Sequence, residues 1–208
     1  AVHGVNFFVR GGDVERWFIG NANMFTVKER KRLLRCRTDA PAPQDLTRQY
    51  YCKVKDKDDV TKMQYLDIHM WMAGDILLKA DKKSMAHSLE LRVPFLDKEI
   101  MALAGQIPYR YRVTHENTKV AMRKAALRAM PPQTANKKKL GFPVPIRVWL
   151  KEEKYYQYMK GILTGDVAKE YFHTDELVKL LDDHKNGKKD NSRKIWTVYS
   201  FLLWYDQY

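Results

Sequence analysis

The sequence predicts a mainly α-helical fold around a single core, on three observations. Apolar residues recur at steps of three and four along Met63, Leu66, Met70, Ala73 and Leu77, the spacing that lines up one face of a helix. Residues that can open a helix, among them Thr26, Asp97, Thr118, Thr174 and Ser192, stand ahead of several segments of this kind. Strand patterns are scarce, and no repeat or low-complexity segment interrupts the chain. At 208 residues, 45% hydrophobic and 12% aromatic, the chain is long enough for a substantial core.

Residues 1–25 mix Phe7, Phe8, Trp17, Phe18 and Phe25 with glycines and asparagines, and read as irregular or short-helical. Thr26-Val27-Lys28-Glu29 has the form of a capping box, in which hydroxyl and carboxylate each satisfy a backbone donor at a helix start. The basic run behind it (Lys28, Arg30, Lys31, Arg32, Arg35, Arg37) reads as a solvated face. Asp39 to Asp59, with Pro41 and Pro43 near its start, reads as a long connecting loop. One domain over 1–208 is expected, with an irregular-to-helical part at 1–59 and a helical part at 60–208.

The helix through Met63 and Leu77 is widened by Ile68, Trp71, Met72 and Ile76, and is expected to be buried on most sides. Asp75 on it reads as an acid that hydrogen-bonds to a neighbouring helix. Asp97 is expected to cap a short helix through Ala104, and Thr118 another through Met130, stopped by Pro131-Pro132. Pro145 suits the first turn of a further helix. Thr174 is expected to cap a helix to Lys185, with Gly187 closing it. Ser192 opens the last, where Ile195, Trp196, Tyr199, Leu202 and Leu203 form an apolar stripe.

The net charge of +13, from 38 basic and 25 acidic residues, fits nucleic acid, an anionic surface or an anionic substrate. Acidic segments of a longer protein would also offset it. The basic stretches lack the interleaved aromatics of a single-strand binder, which makes nucleic acid an unlikely partner. A basic, non-catalytic module for nucleic acid or a protein partner stays open as the competing class. Cys36 and Cys52 form no C-x-x-C pair and no Cys/His ligand spacing, so no metal site is expected. Gly11-Gly12 is followed by Asp13 and lacks the Lys-Ser/Thr of a Walker loop. The apolar run Ile195 to Tyr205 is too short for a bilayer; a soluble, cytoplasmic protein is expected, with no membrane partner.

Two strings carry chemistry. Asp81 to Asp97 reads DKKSMAHSLELRVPFLD, with ionisable groups leading into an apolar turn and a final carboxylate. The second, Lys137 to Pro145, reads KKKLGFPVP. Together they resemble the synthetase domain of glutamine-hydrolysing asparagine synthetases of bacterial type, whose pattern is roughly D-K-x-x-M-x-x-S-x-E-x-R-x-P-F-L-D followed by K-x-G-F-x-x-P. From about Val14 onward the chain is similar to the last part of those enzymes. The resemblance implies the helical C-terminal portion of an adenine-nucleotide α-hydrolase-like, pyrophosphate-loop domain.

It also implies a ligase that makes asparagine from aspartate, ATP and glutamine-derived ammonia, with Mg2+. The S-G-G-x-D-S pyrophosphate loop and the N-terminal cysteine of a glutaminase domain do not occur here. The chain is therefore expected to be a fragment, inactive alone and holding no cofactor tightly. Its partners in the parent would be a glutaminase domain and the upstream synthetase segment. Related synthetases that close a lactam ring share the motifs, so the substrate stays open between them.

The resemblance makes Lys139 a catalytic residue facing the phosphates, places Glu90 near the reacting centre, and sets Arg92 by the aspartate carboxylates. Without it, Lys137, Lys138 and Lys139 read as a solvated loop and Glu90 and Arg92 as a structural pair, since residues two apart share no helix face. Asp81 and Lys82 read equally as a substrate-facing pair or a surface pair. His87 reads as a packed or capping histidine.

Overall fold

The computed structural model describes residues 13–20, 23–36, 39–138 and 144–207. They are mainly helical; besides helices and turns they hold two isolated bridges, Leu34 with Phe172 and Val113 with Thr118. The chain divides into two compact units, one bounded by Ala1–Ala22 and Pro41–Leu140, the other by Asn23–Ala40 and Gly141–Tyr208. Each has its own apolar cluster, so two small cores stand where one was expected.

In the first unit, α1 (Val14–Trp17) is capped by Asp13, whose carboxylate accepts from the Glu15 amide at 3.1 Å. α2 belongs to the other unit and is described with it below. α3 (Pro43–Tyr51) lies where the sequence predicts a loop. Pro43 occupies its first turn, where a missing N–H costs nothing, and Asp45 accepts from the Ala42 amide at 3.2 Å. Prolines that read as breakers are therefore helix openers. Val14, Phe18, Tyr51 and Leu66 make the core. The Tyr51 hydroxyl donates to the Phe18 carbonyl at 2.6 Å, and burial pushes that phenol's pKa up.

α4 (Asp59–Asp67), capped by Asp58, continues as a π-helical stretch over Ile68–Leu77 and then as α5 (Leu78–Met85). This is the strongly periodic segment, yet beyond Leu66 none of it is buried. A π-helical backbone closes i to i+5 hydrogen bonds, so steps of three and four no longer fall on one face. Asp75 does not reach across to another helix. It accepts from Trp71 Nε1 at 3.0 Å and Lys79 Nζ at 3.2 Å on its own segment.

Asp97 caps α6 (Lys98–Gln106) as expected, accepting from the amides of Glu99 and Ile100. α7 (Tyr109–Arg112) follows. Thr118 does not cap the next helix: α8 (Val120–Ala126) starts after Lys119, whose φ of 59° bends the chain in, and ends short of Met130. α9 (Pro132–Ala135) closes the described part of this unit.

In the second unit the capping box at α2 (Val27–Leu33) is complete: Glu29 N donates to Thr26 Oγ1 at 3.2 Å, and Thr26 N to Glu29 Oε2 at 2.9 Å. Pro145 sits just before α10 (Ile146–Trp149), not inside it. α11 (Glu153–Leu163), α12 (Asp166–Tyr171), α13 (Thr174–Lys185) and α14 (Ser192–Tyr205) complete the unit. Leu163, Leu177, Leu181, Ile195 and Leu202 are among its core residues. Of the expected stripe on α14, Trp196 and Leu203 face outward, 45% and 39% exposed.

His184 is buried, and its ring joins two segments. The Arg147 carbonyl lies 3.0 Å from Nε2 and can only accept, while the Asn191 amide donates to Nδ1 at 3.3 Å. Those partners define the tautomer with hydrogen on Nε2. Gly187 ends the helix with φ of 73°, the left-handed conformation that favours glycine.

Glu29 also makes an ion pair with Lys194 of α14. The hydrogen bond from that ammonium, with those from Thr26, holds the Glu29 carboxyl down at about 2, against 4.5 ordinarily. A carboxylate depressed on folding contributes stability that is complete above its unfolded pKa and is lost as pH falls through the folded one. The melting temperature of the second unit is therefore expected to fall between pH 4.5 and 2 less steeply in Glu29→Gln than in wild type. Melts followed by circular dichroism across that window check it; parallel curves would refute the assignment.

Candidate active site

The signature string forms a cleft in the first unit. α5 brings Asp81 and Met85 to it. The chain then turns at Ser88, whose φ of 55° is unusual for a residue with a side chain, and leaves the helix. An irregular stretch carries Glu90 and Arg92, a 3-10 turn at Pro94–Leu96 follows, and Asp97 closes the run. Asp81, Ser88, Glu90, Arg92, Val93 and Asp97 are among the residues lining a space of about 790 Å³.

Arg92 Nη2 stands 2.7 Å from Glu90 Oε1. The sequence treats two residues at this spacing as unable to share a helix face. They meet because the helix has already ended at Met85. Their side chains are 82% and 67% exposed, and an ion pair in that setting is worth about 0–1 kcal/mol. Both groups face water, reachable by a dissolved anion or cation.

The other candidates separate. Asp81 lines the cleft, and the Ser84 hydroxyl donates to its backbone carbonyl at 3.1 Å. Lys82, one position along the same helix, is exposed and is not among the lining residues. His87 is exposed rather than packed. Lys139 lies outside the described residues, as do Gly141 and Phe142; Lys137 and Lys138 before it are exposed. The Arg123 guanidinium donates to the carbonyls of Ala135 and Lys137, both at 3.1 Å, and so ties down the chain two residues ahead of Lys139.

Sequence reasoning missed Ser88 and Met85 as lining residues. Positive φ at Ser88 leaves no mark in composition, while Met85 was visible only as part of the motif. Among the described residues no group of three or more His, Cys, Asp or Glu is placed to hold a metal ion. A second, open cleft of about 660 Å³ in the other unit is lined by residues including Thr174, Asp175, Lys179, Asp183 and Lys188. It contains none of the predicted site residues.

Comparison with known proteins adds the following. The family described as asparagine synthase matches residues 10–206. Glutamine-hydrolysing asparagine synthetase 1 of Bacillus subtilis is 47% identical over 188 residues, which cover 90% of this chain and 30% of that protein. A protein described as a putative glutamine-hydrolysing asparagine synthetase in Mycobacterium tuberculosis H37Rv is 36% identical over 206 residues, covering 99% of this chain and 32% of its own length. The chain thus spans about a third of the curated relatives it matches. No solved structure matches it.

Proposed function

Because the chain belongs to the asparagine synthase family, we propose that it is part of the synthetase domain of a glutamine-hydrolysing asparagine synthetase. The longer protein would convert aspartate, ATP and glutamine into asparagine, glutamate, AMP and pyrophosphate. One observation carries the reading: the signature string that marks the resemblance is also what lines the cleft, with Asp81, Glu90 and Arg92 on one wall.

The chemistry assigns each group a task. The side-chain carboxylate of aspartate attacks the α-phosphorus of ATP and pyrophosphate leaves. Ammonia then attacks the acyl carbon, AMP departs, and the new nitrogen loses a proton. Arg92 grips a substrate carboxylate through its planar fork. Glu90 accepts the proton shed by the attacking nitrogen, which suits an exposed carboxylate beside the reacting centre. Lys139 offsets charge building on the phosphates, and Asp81 and Lys82 contribute to holding substrate. Magnesium would accompany the triphosphate; the described residues do not come together as a site for it, and no step here runs through them. A glutaminase domain and the upstream synthetase segment are the partners this reading requires, in the cytoplasm. Among the described residues no helix is long and apolar enough to cross a membrane.

A graft tests the reading. Placing this chain in the Bacillus subtilis relative, in exchange for the matched 188 residues, is expected to retain asparagine formation that depends on aspartate and ATP. A folded graft that makes no asparagine would overturn it. The 208-residue chain by itself is expected to release no pyrophosphate from ATP with aspartate, Mg2+ and ammonia, since it lacks the S-G-G-x-D-S string that would hold the triphosphate in line. Release above a boiled control would contradict that expectation. The net charge of +13 favours a second reading, a nucleic-acid module, which a salt-sensitive gel shift with duplex DNA would reveal.

A further inference from the structure

Between Leu66 and Ala135 no residue is buried, although the segment is helical and rich in large apolar side chains. Leu89, Phe95 and Leu103 are 61%, 67% and 59% exposed, and Met85, Leu91 and Ile100 are between 43% and 52%. Helices of this length hold their shape by burying an apolar face, and water-exposed apolar patches of this extent mark a surface made to be covered. The second unit shows the contrast, with Leu177 and Leu181 of α13 and Ile195 and Leu202 of α14 all buried.

We propose that the face formed by α5, the signature string and α6 is the docking surface for the rest of the synthetase polypeptide, the part of the longer protein outside these 208 residues. This rests on the proposed function for the existence of that polypeptide. Three observations choose this occupant. The relatives are about three times as long as the stretch this chain spans, so a large body of chain is available to cover it. The exposed face is continuous with the cleft: Leu91 and Val93 belong to both, so whatever covers the face supplies the opposite wall. Charge argues against a second copy. Between Lys98 and Thr134 the only acids are Glu99 and Glu116, against Lys98, Lys119, Lys124 and four arginines, so two such faces repel and an acidic surface fits.

Hydrogen exchange decides it, read in the 208-residue chain and in the graft. In the chain alone, amides of residues 78–106 are expected to exchange at least tenfold faster than those of α13 and α14. In the graft they are expected to slow by tenfold or more. Phe95→Glu with Leu103→Glu should restore fast exchange at 78–106 and leave α13 and α14 unchanged. Co-expressing this chain with the unmatched part of the Bacillus subtilis relative as a separate polypeptide gives a second readout, in which the two co-purify and the double variant does not. Slow exchange at 78–106 in the dilute chain alone would overturn the proposal, because the chain would then cover its own face. Protection that grows with the concentration of the chain would overturn it in favour of a second copy. Unchanged exchange in the graft, or co-purification indifferent to the double variant, would also overturn it. Activity of the graft reads the proposed function separately: an inactive graft with slowed exchange leaves the docking surface standing, and an active graft without it does the reverse.

Discussion

Lys139→Ala in the full-length protein is expected to lower asparagine synthesis about a hundredfold while glutamine hydrolysis continues at nearly its original rate. Removing one cation that acts mainly on charge developing in the transition state costs about 3 kcal/mol, which corresponds to that factor. Glutamine hydrolysis needs no adenylate and should not register the loss. Lys138→Ala is the control, since Lys138 is an exposed member of the same basic run and the motif assigns it no task. Arg123 supplies a reason for the specificity. By holding the Ala135 and Lys137 carbonyls it fixes the chain entering K-x-G-F, so the third lysine, not the run as a whole, starts from an anchored backbone. Pyrophosphate and glutamate released in one reaction mixture separate the two activities. Equal loss of both would make Lys139 a residue that supports the structure.

What could be read in the sequence was chemistry decided within a few residues. The Thr26–Glu29 box, the Asp97 cap and the positive φ of Gly187 are local bargains between a side chain and its own backbone, and all three are present. Failures came where a residue type has two uses. Pro43 breaks a helix from inside and opens one at its first turn, and sequence reasoning took the first reading. The apolar spacing from Met63 to Leu77 was real, but burial depends on what lies opposite, and a π-helical backbone spread the face. Thr118 and Lys119 show the same limit, because a left-handed residue moved the helix start without any compositional trace.

The candidate site was more legible than the fold because its residues are contiguous. Asp81, Glu90 and Arg92 reach one cleft along a single stretch of chain, so a motif read in order is also a surface read in order. The pairing of Glu90 with Arg92 was not legible, since it required the helix to stop at Met85 and the chain to turn at Ser88.

That pairing sharpens the remaining expectation. Glu90→Gln is expected to lower kcat for synthesis about a hundredfold, in the range a positioned acid or base contributes, with the shape of the side chain kept. Arg92→Lys should raise the apparent KM for aspartate about tenfold and that for ATP less, because lysine keeps the charge but loses the fork that holds a carboxylate with two hydrogen bonds. The rival view makes the two a structural pair. Had they been buried, breaking the pair would have cost roughly 3 to 5 kcal/mol and unfolded much of the protein. At 82% and 67% exposure the pair is instead worth about 0–1 kcal/mol, so neither variant should shift the melting temperature by more than a few degrees. Kinetics and melts on the same preparations therefore answer together. Impaired turnover with wild-type melting places Glu90 and Arg92 at the substrate. A large drop in melting temperature for both variants would move them into the scaffold, because only a pair covered by the rest of the polypeptide could then carry so much stability.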